Sequence, residues 1–176
     1  MTSKPGRGRP ELVVRPVRPD EFEAAGEVVF RAYDALGSSA TSHGYGQELR
    51  DVAKRVSGSE VYVAVGQDDV VVGCVTFVPD VSSPWAEGLE PGESAIRMLG
   101  VDPAAQGLGA GRALLETCLA RARELGSEAV FLHSTQMMQV AQKMYASAGF
   151  VRQPARDWYP VPDFLLVAYR LELHAP

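Results

Sequence analysis

The sequence predicts an α/β fold, because short apolar strands and amphipathic helices alternate along the chain. Two valine-rich segments, 60–66 and 70–78, are joined by Gln67-Asp68-Asp69, a pattern typical of a β-hairpin. A further apolar strand, 96–101, is followed by a glycine-rich turn and then by a helix. The apolar residues of that helix recur at three- and four-residue spacing and predict one buried face: Leu114, Leu115, Cys118, Leu119, Ala122 and Leu125.

The remaining elements follow from the same patterns, and the length of 176 residues favours one domain with an ample core. Residues 1–10 are rich in glycine, proline and arginine and are predicted to be a disordered tail, which leaves 11–176 as the domain. Further strands are predicted at 12–15, 129–134, 150–152 and 164–172. Further helices are predicted from Asp20 as N-cap to Leu36, at 48–56 and at 138–148. The segments 37–47, 79–92 and 156–160 are predicted as loops.

Composition excludes several classes of function. A net charge of -5 gives no reason to expect nucleic acid or an anionic membrane as a partner. No apolar run approaches the roughly 20 residues of a membrane span, and no signal peptide pattern is present. Cys74 and Cys118 lie far apart in apolar runs, as buried reduced thiols of a cytoplasmic protein would. His43, His133 and His174 lack metal-ligand spacing, so we expect no metal, and His133 within a strand is typical of a structural histidine.

The glycine-rich turn has the chemistry of an anion site. Asp102-Pro103 ends the preceding strand, and Gly107, Gly109 and Gly111 come just before the helix. The first N–H groups of a helix have no intrahelical partner, and glycines let a phosphate approach the backbone closely. The spacing excludes a Walker loop and a dinucleotide fingerprint, because Arg112-Ala113 follows Gly111.

Two motifs in order carry a resemblance to a known family. Gln-x-x-Gly-x-Gly at 106–111 is similar to the acyl-CoA-binding motif of the GNAT acyltransferase superfamily, and Ala141-x-x-x-Tyr145-x-x-x-Gly149-Phe150 is similar to the signature on its next helix. The resemblance implies a single-domain fold with a mixed central sheet of about seven strands and helices on both faces. It also implies transfer of acetyl from acetyl-CoA to an amine by direct attack in a ternary complex, without a metal.

The resemblance also implies which residues hold acetyl-CoA. The main chain of Leu99, Gly100 and Val101 would pair with the pantetheine arm. Ser134 is one of the residues that could replace an asparagine of relatives, because this chain has Met138 there, and Ala141 belongs to the second motif. The turn that would cradle the pyrophosphate consists of Gln106, Gly107, Leu108, Gly109, Ala110, Gly111 and Arg112.

Two residues are the catalytic candidates. Tyr145 corresponds to the family tyrosine near the CoA sulfur, and a phenol with a pKa near 10 can donate a proton to a departing thiolate. Glu93, at the entry to the central strand, is our candidate general base, acting through a water, because Ala95 stands where many relatives carry a carboxylate. An acceptor with a low pKa would need no base.

The resemblance places the acceptor, a small-molecule or peptide amine, between the loops 37–47, 79–92 and 156–162. Asp80, Glu87 and Glu90 in the second loop would suit a cationic amine, and His43 could line the pocket. Trp85, Trp158 and Tyr159 would form an apolar wall, or else serve in ordinary loop packing or a dimer contact. The sequence does not decide whether the protein forms a homodimer. The alternative functions are a non-catalytic acyl-CoA-binding regulatory module and a family member with a longer acyl donor.

Overall fold

The computed structural model describes residues 11–37 and 40–174; the expected tail at 1–10 lies outside the described residues. The described part contains one eight-stranded sheet in the order β1-β2-β3-β4-β5-β8-β6, with β7 paired to β8. The strands are β1 Val13–Pro16, β2 Glu60–Val65, β3 Val71–Val78, β4 Glu93–Val101, β5 Ala129–Thr135, β6 Val151–Arg152, β7 Trp158–Val161 and β8 Phe164–Glu172. The helices are α1 Phe22–Asp34, α2 Tyr45–Arg50, α3 Val52–Arg55, α4 Ala110–Glu124 and α5 Gln139–Ser147.

The expected mixed sheet is confirmed. Every strand pair is antiparallel except β4 with β5, which are parallel and are connected by α4. This parallel pairing covers only 93–96 against 129–132. Because both strands continue beyond it, to Val101 and Thr135, they separate and open a cleft in the middle of the sheet.

A bulge in β4 accompanies the separation. Cys74 pairs with Gly100 and Thr76 with Arg97, so β4 carries one residue more than β3 over this interval. Met98, inside the interval, has a φ of 50°, which is rare for a residue with a side chain. A bulge bends its strand, which is consistent with β4 leaving β5 here.

Helices pack on both faces of the sheet, as expected. One face is covered by α4 and α5, whose buried side chains include Leu114, Leu115 and Tyr145. The other face is covered by α1, α2 and α3, through residues such as Val29, Leu49 and Val52. Among residues 11–37 and 40–174, none of the helices combines the length and apolar character that a membrane crossing requires.

Three predicted elements need correction. The single helix expected at 48–56 is two short helices, because Asp51 adopts φ -82° and ψ 71° and its carboxylate caps α3. The loop expected at 156–160 contains β7, which pairs with β8 through Trp158–Leu166 and Val161–Phe164. Proline is tolerated in such an edge strand. The central strand begins at Glu93 rather than at Ile96.

The start of α1 also differs from expectation. A short 3₁₀ turn, Pro19–Glu21, precedes the helix, and Asp20 does not cap it. Instead Glu21 accepts a hydrogen bond from the Arg18 N–H at 2.8 Å and pairs with Arg15 at 2.6 Å. The ion pair therefore fixes the direction in which the chain leaves β1.

Candidate active site

A cavity of about 540 Å³ lies where β4 and β5 separate. One wall comes from α2 and the loop before it, which contribute His43 and Glu48. A second wall comes from β4, β5 and the strands beyond them, which contribute Arg97, His133 and Trp158. The predicted acceptor loops 37–47 and 156–162 do line this cavity, whereas of 79–92 only Glu87 does.

The glycine turn lies at the start of α4, as expected. Gly107 and Gly109 have φ values of 83° and 90°, and a Cβ built on either would meet no atom within 4 Å. The N-cap residue is Gly109, so no side chain caps the first N–H groups of α4, and the first turn carries no acidic residue. Open space above N–H groups without intrahelical partners is the arrangement that a phosphate requires, so these residues fit the pyrophosphate of CoA.

The other residues of the turn have different surroundings. Gln106 is exposed, and Arg112 is exposed and paired with Glu116 at 3.1 Å along the helix. Ala110 is buried at the start of α4. A Cβ on Gly111 would stand at ordinary contact distance from Val101 and Met144, so this glycine packs α4 against β4 and α5.

The main chain of β4 beyond the bulge is available on one side. Pairing with β5 stops at Ile96, so within the described residues Leu99, Gly100 and Val101 have no strand partner on that edge. Gly100 is needed because α1 approaches closely: a Cβ there would be 3.0 Å from the Val29 Cα. A bound extended chain can use free N–H and C=O groups of this kind, as an added strand does.

The remaining cofactor candidates lie on β5 and α5. Ser134 is buried, lines the cavity and donates a long hydrogen bond of 3.5 Å to the Thr135 carbonyl. Ala141 packs against the core that α4 and α5 share. Met138 also lines the cavity, next to Ser134 and Thr135.

Tyr145 is buried on the inner face of α5, with 5% of its surface exposed, and it is not among the residues that line the cavity. Its ring packs against Phe150 and Tyr169, at centroid distances of 5.7 and 6.3 Å. Burial raises the pKa of the Tyr145 hydroxyl well above its usual value. The phenol therefore keeps its proton at neutral pH and remains able to donate it.

The structure does not favour Glu93 as the general base. Its carboxylate is buried and accepts hydrogen bonds from Arg156 at 2.8 Å and from Arg170 at 2.7 Å. Burial alone would raise the pKa of this carboxyl, but the bonds from Arg156, the Glu90 N–H and Arg170 outweigh it and lower the pKa. Because a stabilised carboxylate is a weak base and Glu93 is not among the cavity-lining residues, we assign it to an ion-pair cluster.

His133 has an environment that its sequence position did not reveal. It lines the cavity, its Nε2 donates to the Arg156 carbonyl at 3.0 Å, and its ring meets Phe131 edge-on at 4.8 Å. Burial is the main cause that lowers the pKa of His133 below its usual value. A structural histidine was expected here, and the bond to Arg156 agrees with that expectation. The position of His133 in the cavity wall was not expected. The alternation of side chains along β5, which places His133 and Thr135 on one face, was the available signal.

The aromatic and acidic residues proposed for the acceptor divide between two places. Trp158 lines the cavity, whereas Trp85 is buried in the core with its Nε1 donating to the Ser57 carbonyl at 3.2 Å. Tyr159 is 60% exposed outside the cavity. Glu87 lines the cavity and lies 3.6 Å from Arg97. Asp80 and Glu90 do not line it.

The cysteines and the possible metal ligands of the described residues lie apart from one another. Cys74 and Cys118 are buried and free, as expected. Burial raises the pKa of Cys74 to about 11 and that of Cys118 further, so both remain protonated thiols. Over 11–37 and 40–174, no three His, Cys, Asp or Glu residues are grouped as metal ligands would be.

Comparison with known proteins agrees with this geometry. The model of the acetyltransferase (GNAT) family matches residues 29–150. The mycothiol acetyltransferase of Sanguibacter keddieii is 33% identical over 148 residues, which cover 81% of this chain and 44% of that protein. The ribosomal protein bS18-alanine N-acetyltransferase of Haemophilus ducreyi is 35% identical over 72 residues, 40% of this chain and 50% of that protein. The chain thus spans half the length, or less, of these curated relatives.

Solved structures share the fold. The GCN5-related N-acetyltransferase of Kribbella flavida has a TM-score of 0.68 and 24% identity, with 92% of this chain and 98% of that chain covered. The yncA protein of Salmonella typhimurium, solved with its cofactor acetyl-CoA, has a TM-score of 0.64 and 18% identity, with 93% and 94% covered. Since the family model covers most of the chain and the fold and the glycine turn agree with it, this protein belongs to the GNAT acetyltransferase family.

Proposed function

We propose that this protein is an N-acetyltransferase that moves the acetyl group of acetyl-CoA directly onto the amine of an acceptor bound in the cavity. One observation carries the proposal: the β4 residues that line the cavity, the unpaired edge of β4 at 99–101 and the glycine turn before α4 follow one another directly along the chain. A cofactor site that leads directly into an acceptor site allows transfer without a covalent enzyme intermediate.

Different residues of the chain would bind acetyl-CoA and donate the proton. The N–H groups from Gly107 to Arg112 would hold the pyrophosphate, and the free edge of β4 at 99–101 would align the pantetheine arm, with Ser134 and Ala141 beside it. When bound, acetyl-CoA supplies a thioester whose carbonyl carbon the amine attacks. Tyr145 keeps its proton because burial raises the pKa of its hydroxyl, and it would give that proton to the departing sulfur.

The acceptor side is mixed in character. Tyr33, Phe131 and Trp158 supply apolar surface, while Glu48 and Glu87 supply negative charge. Arg97 offsets part of that charge, through its contact with Glu87. We propose a small-molecule or peptide amine that carries an apolar group next to the amine, since both kinds of surface then have a partner. The names of the curated relatives imply different acceptors, so similarity to them does not identify the acceptor of this protein.

Coenzyme A affinity tests the cofactor site. Gly109→Val places a side chain at a φ of 90° above the helix N-terminus and should weaken CoA binding about tenfold or more, as several contacts of roughly 0.3–1 kcal/mol are lost. Gly126→Val is the matched control, because Gly126 has a φ of 73° and equally open space at the other end of α4. Calorimetry should find weaker binding only in the first variant. Equal affinity in the two would contradict the site.

Turnover tests the reaction. Release of free CoA thiol from acetyl-CoA should depend on the amine when a panel of amines and peptides is supplied. Binding of CoA without release for any amine would favour the regulatory module instead. Release that occurs only with longer acyl-CoA donors would favour the longer-chain alternative.

A further inference from the structure

We infer that the end of β5 forms the acceptor site, with Nδ1 of His133 taking the proton of the acceptor's ammonium group and the Thr135 hydroxyl orienting it. This assignment rests on the proposed function and deepens it. The two residues lie on the same face of β5 and both line the cavity. Ser134 lines the cavity too, from the opposite face of β5, and we assign it to the cofactor side.

The hydrogen bond of His133 fixes its tautomer. The Arg156 carbonyl can only accept, so Nε2 must carry the hydrogen in the 3.0 Å bond. The lone pair of the neutral ring therefore lies on Nδ1, for which no hydrogen-bond partner is found among the described residues. A neutral imidazole held in one tautomer within a cavity wall is ready to accept a proton.

The cluster around Glu93 explains why this carbonyl is in place. Arg156 donates to Glu93 at 2.8 Å and to the Gly88 carbonyl at 2.6 Å, and its guanidinium lies 3.6 Å from the centre of the Phe131 ring. Glu93 is held in turn by Arg170. Glu93 thus acts as a positioning residue: it holds Arg156, and Arg156 holds His133.

Thr135 supplies an independent observation. It is 4% exposed, and its Oγ1 is one of two buried side-chain polar atoms in the described residues that have no hydrogen-bond partner. Leaving a buried hydroxyl unpaired costs about 1–3 kcal/mol. Because Thr135 lines the cavity, a polar ligand group there would satisfy the hydroxyl once it turns towards the cavity, so a polar ligand is expected at this place.

The protons balance in this scheme. The ammonium gives one proton to His133 Nδ1, and the freed nitrogen lone pair forms the bond to the acetyl carbon as the carbon–sulfur bond breaks. The sulfur keeps the electron pair of that bond and receives, by way of Tyr145, the second proton that the nitrogen loses on becoming an amide. The proton on His133 passes to solvent.

The pH dependence follows from the charges near His133. The Arg97 side chain on β4 and Arg156 disfavour a second positive charge, while Asp157, close by, favours it. The loop that covers the ring carries Glu87 and Glu90 on either side of Gly88. Burial is the largest cause, and the net result is a pKa of His133 below its usual value. Since the neutral form is the active one, kcat/KM should fall as pH drops through that lowered pKa.

Nuclear magnetic resonance tests the assignment without turnover. In the protein labelled at its three histidines, His133, identified by its absence in His133→Gln, should carry its hydrogen on Nε2 and titrate at a lower pH than a free imidazole. A hydrogen on Nδ1 of the neutral ring, or a titration no lower than that of a free imidazole, would overturn the assignment. This arm distinguishes a failure of His133 from a failure of the proposed acetyl transfer.

Kinetics complete the test. His133→Gln keeps a hydrogen-bond donor for the Arg156 carbonyl but has no basic nitrogen. It should therefore lower kcat by about 10²–10⁴ and leave the acetyl-CoA KM unchanged. It should also remove the fall of kcat/KM at low pH, which is the acidic limb of the pH profile. His43→Gln, also in the cavity wall, should keep that limb. If His43→Gln removed the acidic limb and His133→Gln kept it, His43 would be the proton acceptor and the assignment would be overturned. Absence of turnover with every amine would remove both the proposed function and this role.

Thr135→Val, which keeps the shape and removes the hydroxyl, separates the two substrates. It should raise the KM of the amine several-fold and leave that of acetyl-CoA unchanged. Thr117→Val on α4, whose hydroxyl donates to the Ala113 carbonyl, is the control for loss of a threonine hydroxyl. A rise in the acetyl-CoA KM in Thr135→Val, with no change for the amine, would place Thr135 on the cofactor side and contradict its role.

Discussion

Glu93 is 2% exposed, and its carboxylate is bonded to two arginines that are themselves only partly exposed. Removal of one partner from such a cluster leaves charges that solvent compensates incompletely. Glu93 is therefore expected to stabilise the folded protein, in addition to holding Arg156 in place.

Glu93→Gln should lower the free energy of unfolding by about 1–3 kcal/mol, because both arginines lose their shared buried counter-charge. Denaturant unfolding measures this. The matched control is Glu116→Gln, whose ion pair with Arg112 is exposed and should contribute about 0–0.5 kcal/mol. Equal effects in the two variants would mean that burial of Glu93 has no energetic consequence.

Tyr145→Phe keeps the packing of the ring against Phe150 and Tyr169 and removes only the hydroxyl. If this hydroxyl protonates the departing sulfur, kcat should fall by about 10²–10⁴ with little change in the acetyl-CoA KM. Tyr62→Phe is the control, because the Tyr62 hydroxyl bonds Glu60 on another part of the sheet. Wild-type turnover in Tyr145→Phe would remove Tyr145 from the mechanism.

At the scale of elements, glycine decides how closely α1 and α2 approach. A Cβ on Gly26 of α1 would lie 2.2 Å from the Arg50 carbonyl oxygen, at the end of α2. The clash is with backbone, which cannot rotate away as a side chain can. The wall of the cavity that carries Glu48 therefore depends on this contact.

Gly26→Ala should destabilise the protein by about 1–3 kcal/mol, although the same change in an ordinary helix stabilises by about 1 kcal/mol. Gly111→Ala in α4 is the matched control, since its Cβ would meet only ordinary contacts from 3.5 Å and should not destabilise. Thermal or denaturant unfolding of both variants checks the opposite signs. A stabilised Gly26→Ala would mean that α1 and α2 can move apart freely.

For the whole molecule, ion-paired carboxylates join different elements of the fold. Glu21 joins Arg15 of β1, Glu60 of β2 joins Arg121 of α4, Glu93 joins β8, and Asp157 joins Arg152 of β6. The hydrogen bond from Arg15 is the largest cause that lowers the pKa of Glu21, to about 2. The pKa values of Glu60, Glu93 and Asp157 are also lowered by their arginines.

Stability should therefore fall in acid. A carboxyl whose pKa is lower in the folded protein than in the unfolded chain stabilises fully above the unfolded value, about 4, and loses this contribution as pH drops through the folded value. The melting temperature should decline from about pH 4.5 towards pH 2. Glu21→Gln should decline less steeply over this window. A flat profile in the wild type would contradict the ion-pair account.

Much of the fold was predictable from local patterns. Strand β8 was predicted at its observed bounds, and α4 was predicted because apolar spacing and terminal glycine are properties of neighbouring residues. Strand β7 was missed, since four residues with a proline carry little pattern and are ordered only by pairing with β8. The break at Asp51 was missed for a similar reason: it depends on a cap that continuous apolar spacing conceals.

The family resemblance, the turn at 106–111 and the position of Tyr145 could all be read from the sequence, because they depend on residue identity at short spacing. The surroundings of Glu93 and His133, in contrast, are visible only in the folded structure. Glu93 meets Arg156 and Arg170 from positions 63 and 77 residues away, and Arg156 reaches His133 across 23 residues. Proton affinity depends on the charges and the burial around a group, and in this protein both are set by residues far away in the chain.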